Sequence, residues 1–356
     1  MKKFLVVLII IGFAAALVVP IIRGNSSESE EVFVFNLKDN VAVKIGQIIP
    51  IKFEVIEDVK DVSLEINGQK IKEWMSPSGQ ITFDFNTINQ HVGTYTVTLK
   101  ATLNDGMIQE EQRVLQVLSD IIPESWSTEI IAEYPHQESS FTQGLEFDKG
   151  NLFEGTGDPN QNGQTLVAEV DLKTGEIKRK SSLDASYFGE GITIFGEELY
   201  QLTWKNGKCV VYDKTTFKVT RELSYTGEGW GLCHDKNHLI MSDGSERLFF
   251  RDPKTFEVVK TIEVYTNQGP LNYLNELEYV DGKIYANIWT SNNIAVIDPE
   301  NGKVLALIDA TNLVKEGKGN GEVLNGIAKD NLSSKLYMTG KFWPKLFQVK
   351  VNKRAA

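Results

Sequence analysis

From residue 141 to the C-terminus, apolar runs of strand length alternate with turns, and the alternation repeats. Five runs open on a polar or aromatic residue: QGLEF at Gln143, EGITI at Glu190, WGLCH at Trp230, NELEY at Asn275 and NGIAK at Asn325. About ten residues after each comes a second apolar run: NLFEGTG, ELYQLTW, HLIMSDG, KIYANIW and KLYMTGK. A sheet-forming unit returning every ~40–50 residues is the sequence signature of a β-propeller with one four-stranded blade per unit. Third runs repeat as well (VAEVDLKTGEI, CVVYDKTTFKV, LFFRDPKTFEV, IAVIDPENGKV), each carrying an aspartate at a turn: Asp171, Asp213, Asp252 and Asp298. An aspartate opening a turn caps its own backbone, so these four are read as turn residues rather than metal ligands. EIIAEY, before the first opener, and LFQVKV, at the end, are expected to share one blade and close the ring.

Upstream, residues 32–118 alternate with the same strand period, in VFVFNL, IPIKFEVI, VSLEI, ITFDF, TYTVTLKATL and RVLQVL. The turn signals Asn67-Gly68 and Asn104-Asp105-Gly106 separate pairs of them. Strands of this number and length describe a small β-sandwich of immunoglobulin type, with Gly93-Thr94-Tyr95 in the place of a tyrosine corner. No catalytic cluster appears there, and the segment is read as a spacer or docking module whose partner is unknown. Residues 119–127 read as a linker, and 128–356 as a five-bladed propeller. The fold class expected is therefore all-β: membrane segment, Ig-like sandwich, propeller.

The N-terminus changes the picture of where the chain works. Met1-Lys2-Lys3 precedes an uncharged apolar run from Phe4 to Ile22, ended by Arg23. The run approaches the ~20 residues that span a bilayer, so residues 1–23 are read as an export segment, an uncleaved anchor in preference to a cleaved signal peptide. Residues 24–31 follow as a polar, acidic tether. The part beyond residue 31 is expected outside the cytoplasm, membrane-anchored toward periplasm or cell surface, or secreted if the segment is cut. A net charge of −11 with no basic stripe argues against nucleic acid. The only two cysteines, Cys209 and Cys233, sit in apolar strand patterns and are read as buried thiols.

Equivalent positions of a propeller form rings around its axis. One ring holds the openers Gln143, Glu190, Trp230, Asn275 and Asn325. A second, five residues into the second strands, holds Gly157, Trp204, Gly244, Trp289 and Lys341. Charged groups are rare among inner strands that only pack, so Glu190 and Lys341 are candidates for chemistry, with a structural ion pair as the alternative. The small residues are expected to leave room for a funnel walled by indoles. A carboxylate in such a funnel is pushed toward neutrality and can take and give a proton; amide, lysine and indole N–H groups can steady an oxyanion. Nucleophile-elbow, zinc-protease, Walker and dinucleotide motifs are missing, and the four histidines (His91, His136, His234, His238) form no metal-ligand set; neither metal nor cofactor is expected.

FTQGL, FEGTG, FGEGIT, LYQLTWK, GEGWGLC, MSDGS, LNELEYV, NIW, LNGIA and TGKFWPKLF, in order between Tyr134 and Phe347, resemble the plant and bacterial glutaminyl cyclases. The resemblance implies a metal-free, five-bladed enzyme that turns the N-terminal Gln of a peptide or protein into pyroglutamate with loss of ammonia. It carries pocket roles onto Phe141, Gln143, Phe188, Glu190, Trp204, Trp230, Asn275, Trp289 and Lys341. Glu190 would be the general acid/base, Lys341 its catalytic partner and the others, with Asn325 from the opener ring, substrate-binding groups. The sandwich and the apolar N-terminus lie outside the resemblance. The reading to beat is a non-catalytic exported propeller binding peptide or saccharide on its tryptophans. A metal- or quinone-dependent propeller enzyme would need a cluster of inward carboxylates or histidines, and the rings offer only Glu190, with Glu154 and Glu276 nearby.

Overall fold

The computed structural model describes residues 31–162 and 164–353, in which β-strands predominate and Thr311–Gly317 forms a short α-helix. The apolar segment 1–23 and most of the acidic tether lie outside the described residues. Among those described, no helix is long and apolar enough to cross a membrane.

Residues 33–118 build two sheets. Phe33–Phe35, Ile48–Val55 and Gly79–Asn86 form one; Val41–Lys44, Val59–Ile66, Gln69–Met75, Gly93–Leu103 and Ile108–Leu118 form the other. Alternate residues of both face one core, with Ile51 and Phe53 from the first sheet against Leu64, Val97, Leu99 and Leu115 from the second. The Tyr95 hydroxyl donates to His91 O, four residues upstream, at 2.9 Å. Two strands escape the sequence pattern. Gln69–Met75 is an almost wholly exposed edge strand with no apolar face to declare it, and Val41–Lys44 is short.

Downstream, Phe141–Ser182, Gly189–Ser224 and Leu232–Glu263 each form a four-stranded antiparallel meander. An eight-stranded sheet completes the set. It contains the meander Leu274–Asp309, and then Leu324–Asp330, Lys335–Gly340 and Lys345–Lys353 paired with Glu124–Pro135. The opening strands pack against one another in cyclic order, the last against the first, so the ring is closed. Closure is done as the sequence suggested: Lys345–Lys353 pairs antiparallel with Glu124–Pro135, from Lys345 opposite Pro135 to Lys353 opposite Trp126. That strand begins at Glu124, inside the segment read as linker, because its first residues also run parallel to Ala306–Asp309. Asp171, Asp213 and Asp252 accept backbone N–H groups two and three residues on, and Asp298 accepts that of Glu300, as turn-capping aspartates do. Cys209 and Cys233 are buried free thiols. The sandwich is joined to the ring at the outer strand of the third meander: Thr94 N donates to Glu263 Oε2 at 2.9 Å, and Val92, Leu118 and Tyr265 share an apolar contact.

Candidate functional site

The openers face the axis because the backbone is deflected at them. Register shifts fall between Thr142 and Gly144, Gly189 and Ile192, Leu274 and Leu277, and Leu324 and Ile327. These bracket Gln143, Glu190, Asn275 and Asn325 in turn. A bulge lifts a side chain out of the ladder and re-aims it, so one repeated irregularity directs four openers to one place. Trp230 precedes its strand and is fixed by its own N–H to Ser242 O at 3.0 Å. The residue after each opener is Gly144, Gly191, Gly231, Glu276 or Gly326. Glycine is required where the openers pass backbone to backbone: a Cβ on Gly231 would lie 1.9 Å from Asn275 O. The exception, Glu276, uses its side chain to cross the ring. Its carboxylate takes Leu145 N at 3.3 Å and Ile327 N at 2.9 Å.

Trp204, Trp289 and Lys341 follow the ends of second strands that run antiparallel to the openers, and so arrive at the same end of the ring. An aromatic wall forms there. Phe342 meets Phe141 at 5.0 Å between centroids, Phe141 meets Phe188 at 5.9 Å, and Phe188 meets Trp204 at 5.7 Å. Trp230 meets Trp289 edge-on at 5.8 Å, and Trp289 meets Tyr273 at 6.0 Å. The two arcs are joined by Glu228, whose Oε2 accepts both the Trp204 and the Trp230 indole N–H, at 2.7 and 3.0 Å. Two expectations change here. Those indole N–H groups are committed to Glu228, so neither serves as an oxyanion donor. Nor do Gly157 and Gly244 leave open space: a Cβ at either would strike the ring of Phe188 or of Trp230 within 2.6 Å, so the glycines seat the walls.

Inside the wall sit the ionisable groups. Glu190 is 5% exposed, and burial pushes its carboxyl well above the usual range; Lys341 pulls back down and the Glu228 charge adds to the rise. Lys341 is equally buried; desolvation lowers its ammonium against the opposing pull of Glu190 and Glu322, and its Nζ lies 4.5 Å from the Phe141 ring centroid. Gln143 is held by Asn325, whose Nδ2 donates to Thr142 O at 2.9 Å and to Gln143 Oε1 at 3.3 Å. Asn325 therefore acts through Gln143 as well as lining the ring. Asn287 Oδ1 accepts Gly326 N at 2.9 Å. Asn287 Nδ2, Asn275 Oδ1 and Asn325 Oδ1 are buried with no hydrogen-bond partner, one donor and two acceptors available to a bound amide.

All ten residues singled out from the sequence lie on the bulged openers or at the adjacent strand ends. Sequence reasoning passed over Glu228, Phe342, Tyr273 and Asn287. Glu228 was in view within GEGWG, but only the rotation of two indoles reveals its role. It also passed over a buried network behind Phe141. His136 Nδ1 donates to Trp343 O at 2.7 Å and Nε2 to Glu154 Oε1 at 3.0 Å, while Thr142 and Ser140 hydroxyls donate to the same carboxylate at 2.7 and 3.2 Å.

This geometry agrees with comparison to known proteins. The family described as Glutamine cyclotransferase matches residues 100–351. A glutaminyl-peptide cyclotransferase of Arabidopsis thaliana is 40% identical over 235 residues, 64% of this chain and 72% of its own length. The crystal structure of Myxococcus xanthus glutaminyl cyclase superposes with a TM-score of 0.61 at 38% identity, covering 65% of this chain and all of the other.

Proposed function

The chain belongs to the glutamine cyclotransferase family, and on that premise we propose that it cyclises the N-terminal glutamine of peptides or proteins to pyroglutamate, with Glu190 as general acid/base. The observation that carries the mechanism is a buried carboxyl, pushed up by desolvation, inside an aromatic wall beside a buried lysine. A peptide α-amine has a pKa of about 8, so a usable neutral fraction exists at pH 7. Its nitrogen attacks the side-chain amide carbon and closes a five-membered ring, a step favoured by holding the chain folded back. Glu190 takes the amine proton and passes it to the amide nitrogen as the C–N bond breaks and ammonia leaves. Lys341, Gln143, Asn275, Asn287 and the Trp289 indole N–H are the remaining donors for the transient oxyanion. The aromatic wall excludes water, favouring cyclisation over hydrolysis to glutamate. Among the described residues no group of three His, Cys, Asp or Glu is arranged to hold a metal, so the reading assigns the chemistry to side chains alone.

The reading extends to architecture. The four meanders, with the unit completed by Glu124–Pro135, are taken as the blades of a five-bladed propeller, residues 32–118 as an Ig-like accessory module, and residues 1–23 as an export segment that keeps the enzyme at the membrane outside the cytoplasm. The test is ammonia release from a Gln-initiated dipeptide by the full chain and its Glu190→Gln variant, with and without EDTA. Turnover that resists EDTA and is lost in the variant is expected. A folded parent without turnover overturns the cyclase reading, and loss on chelation overturns the metal-free mechanism.

A further inference from the structure

Glu228 stands at the junction of the two aromatic arcs, in the loop between the strands Val219–Ser224 and Leu232–His234. One of its oxygens holds two indoles by their only polar atoms. The other faces Lys205 Nζ at 3.6 Å, and that ammonium lies 3.9 Å from the centroid of the Trp204 ring. An indole has a single donor; once it is spent on a carboxylate, the ring keeps one azimuth and turns its apolar face to its surroundings. Two such rings sharing one acceptor oxygen cannot rotate independently, and a carboxylate oxygen with its two lone pairs is the side-chain group suited to two donors. Trp204 continues by ring contact to Phe188 and Phe141, and Trp230 to Trp289 and Tyr273. Glu228 is thus, among the described residues, the side chain hydrogen-bonded to both halves of the wall.

We infer that Glu228 is a positioning residue of the cyclisation site: it locks the Trp204 and Trp230 indoles as one wall and places a fixed negative charge near Glu190. This rests on the cyclase reading above. Lys341, Glu228 and the Tyr225 phenol are the groups that act electrostatically with Glu190. Glu146, Glu154 and His234 on the strands alongside are engaged with Thr193, His136 and Thr193. The Glu228 charge opposes ionisation of Glu190, so removing it lowers the pH at which Glu190 titrates.

The experiment compares the full chain with its Glu228→Gln and Glu228→Ala variants on a Gln-initiated dipeptide. Each is also read by tryptophan emission and iodide quenching, which report the indoles without turnover. Glu228→Gln keeps an acceptor oxygen and loses the charge: the acid limb of the kcat/KM profile moves to lower pH while the emission stays near that of the parent. Glu228→Ala removes both indole hydrogen bonds: iodide quenching rises and kcat/KM falls about tenfold or more, on the scale of a charge-assisted hydrogen bond. Unchanged quenching in Glu228→Ala overturns the lock, and an unmoved acid limb in Glu228→Gln overturns the charge effect. Should Glu228→Ala not fold, the isosteric variant alone decides, since a merely structural Glu228 leaves its pH profile where it was. Absence of turnover in the parent strikes the cyclase reading instead, while the quenching comparison still decides the lock.

Discussion

Two carboxylates of the first and second meanders, Glu154 and Glu190, are both almost wholly buried, at 3% and 5% exposure, yet burial leaves them in opposite states. Around Glu154, desolvation raises the carboxyl, but the His136 charge and hydrogen bonds from His136, Thr142 and Ser140 outweigh it and hold it below the usual range. Both nitrogens of His136 face oxygens, an arrangement that favours the imidazolium; desolvation opposes that charge, the Glu154 carboxylate prevails, and the His136 pKa is raised. Around Glu190, among the described residues, there is no comparable set of donors: desolvation wins over the pull of Lys341. One site spends its charge on internal bonds and becomes a rigid backing for the FTQGL strand. The other is left with a raised proton affinity, as the acid/base role proposed for Glu190 requires. Burial alone does not make an acid reactive; the choice of partners does.

The comparison is sharpened most by Glu190→Gln. A fall in kcat of about 10²–10⁴-fold is expected from loss of a positioned acid/base. The same change should stabilise the fold at neutral pH. The folded pKa of Glu190 is raised, so its favourable contribution exists below the unfolded value of 4.5 and is lost as pH rises through the folded one. Thermal unfolding of the variant should match the parent near pH 4 and exceed it at pH 8; a lower melting temperature at pH 8 would break the contrast.

Removing the partner of Glu154 tests the other half. His136→Leu leaves a buried carboxylate without its counter-charge and should cost about 3–5 kcal/mol in urea unfolding. The part due to Glu154, whose folded pKa is depressed, is present above 4.5 and lost as pH falls through the folded value. The part due to His136, whose folded pKa is raised, is present below 6.5 and lost as pH rises through its folded value. The deficit of the variant should therefore be greatest between pH 4.5 and 6.5. Next in size is Lys341→Met, which strips the opposing cation from Glu190 and should move the acid limb of kcat/KM up by about one pH unit. An acid limb moving down would show that Lys341 does not act on Glu190. The smallest effect belongs to Ser140→Ala, one donor among several to Glu154: a loss of about 1 kcal/mol in stability with kcat unchanged.

The Glu190 side of this contrast was legible before the structure and the Glu154 side was not, for specific reasons. The openers announced themselves because Glu190 interrupts a ring otherwise made of amides and an indole, and because the repeat period put equivalent residues in register. The strand pattern could not show the bulges at Gln143, Glu190, Asn275 and Asn325, which arise from how four inner strands meet at an axis. The Glu154–His136 pair was invisible for a related reason: its residues are ordinary in type and 18 positions apart, joined only by the fold. Glu228 lies two residues from Trp230, yet its link to Trp204 spans 24 positions and depends on two side-chain rotations. Gln69–Met75 was missed because an edge strand exposed on both faces has no alternation to read.

The strand Glu124–Pro135 is made early in the chain and finds its antiparallel partner only at the end, with Tyr134 and Gln348 meeting across 214 positions. This edge of the strand can be paired only once Lys345–Lys353 has been made. Closing so long a loop is slow but adds little to the final entropy cost, since that cost grows only with the logarithm of loop length. Closure of the ring therefore rests on the pairing made by Lys345–Lys353. Trimming the chain back from Lys353 through Leu346 would unclasp the ring while leaving the Glu190 segment intact in sequence, turning the C-terminal strand into the latch on which the whole pocket depends.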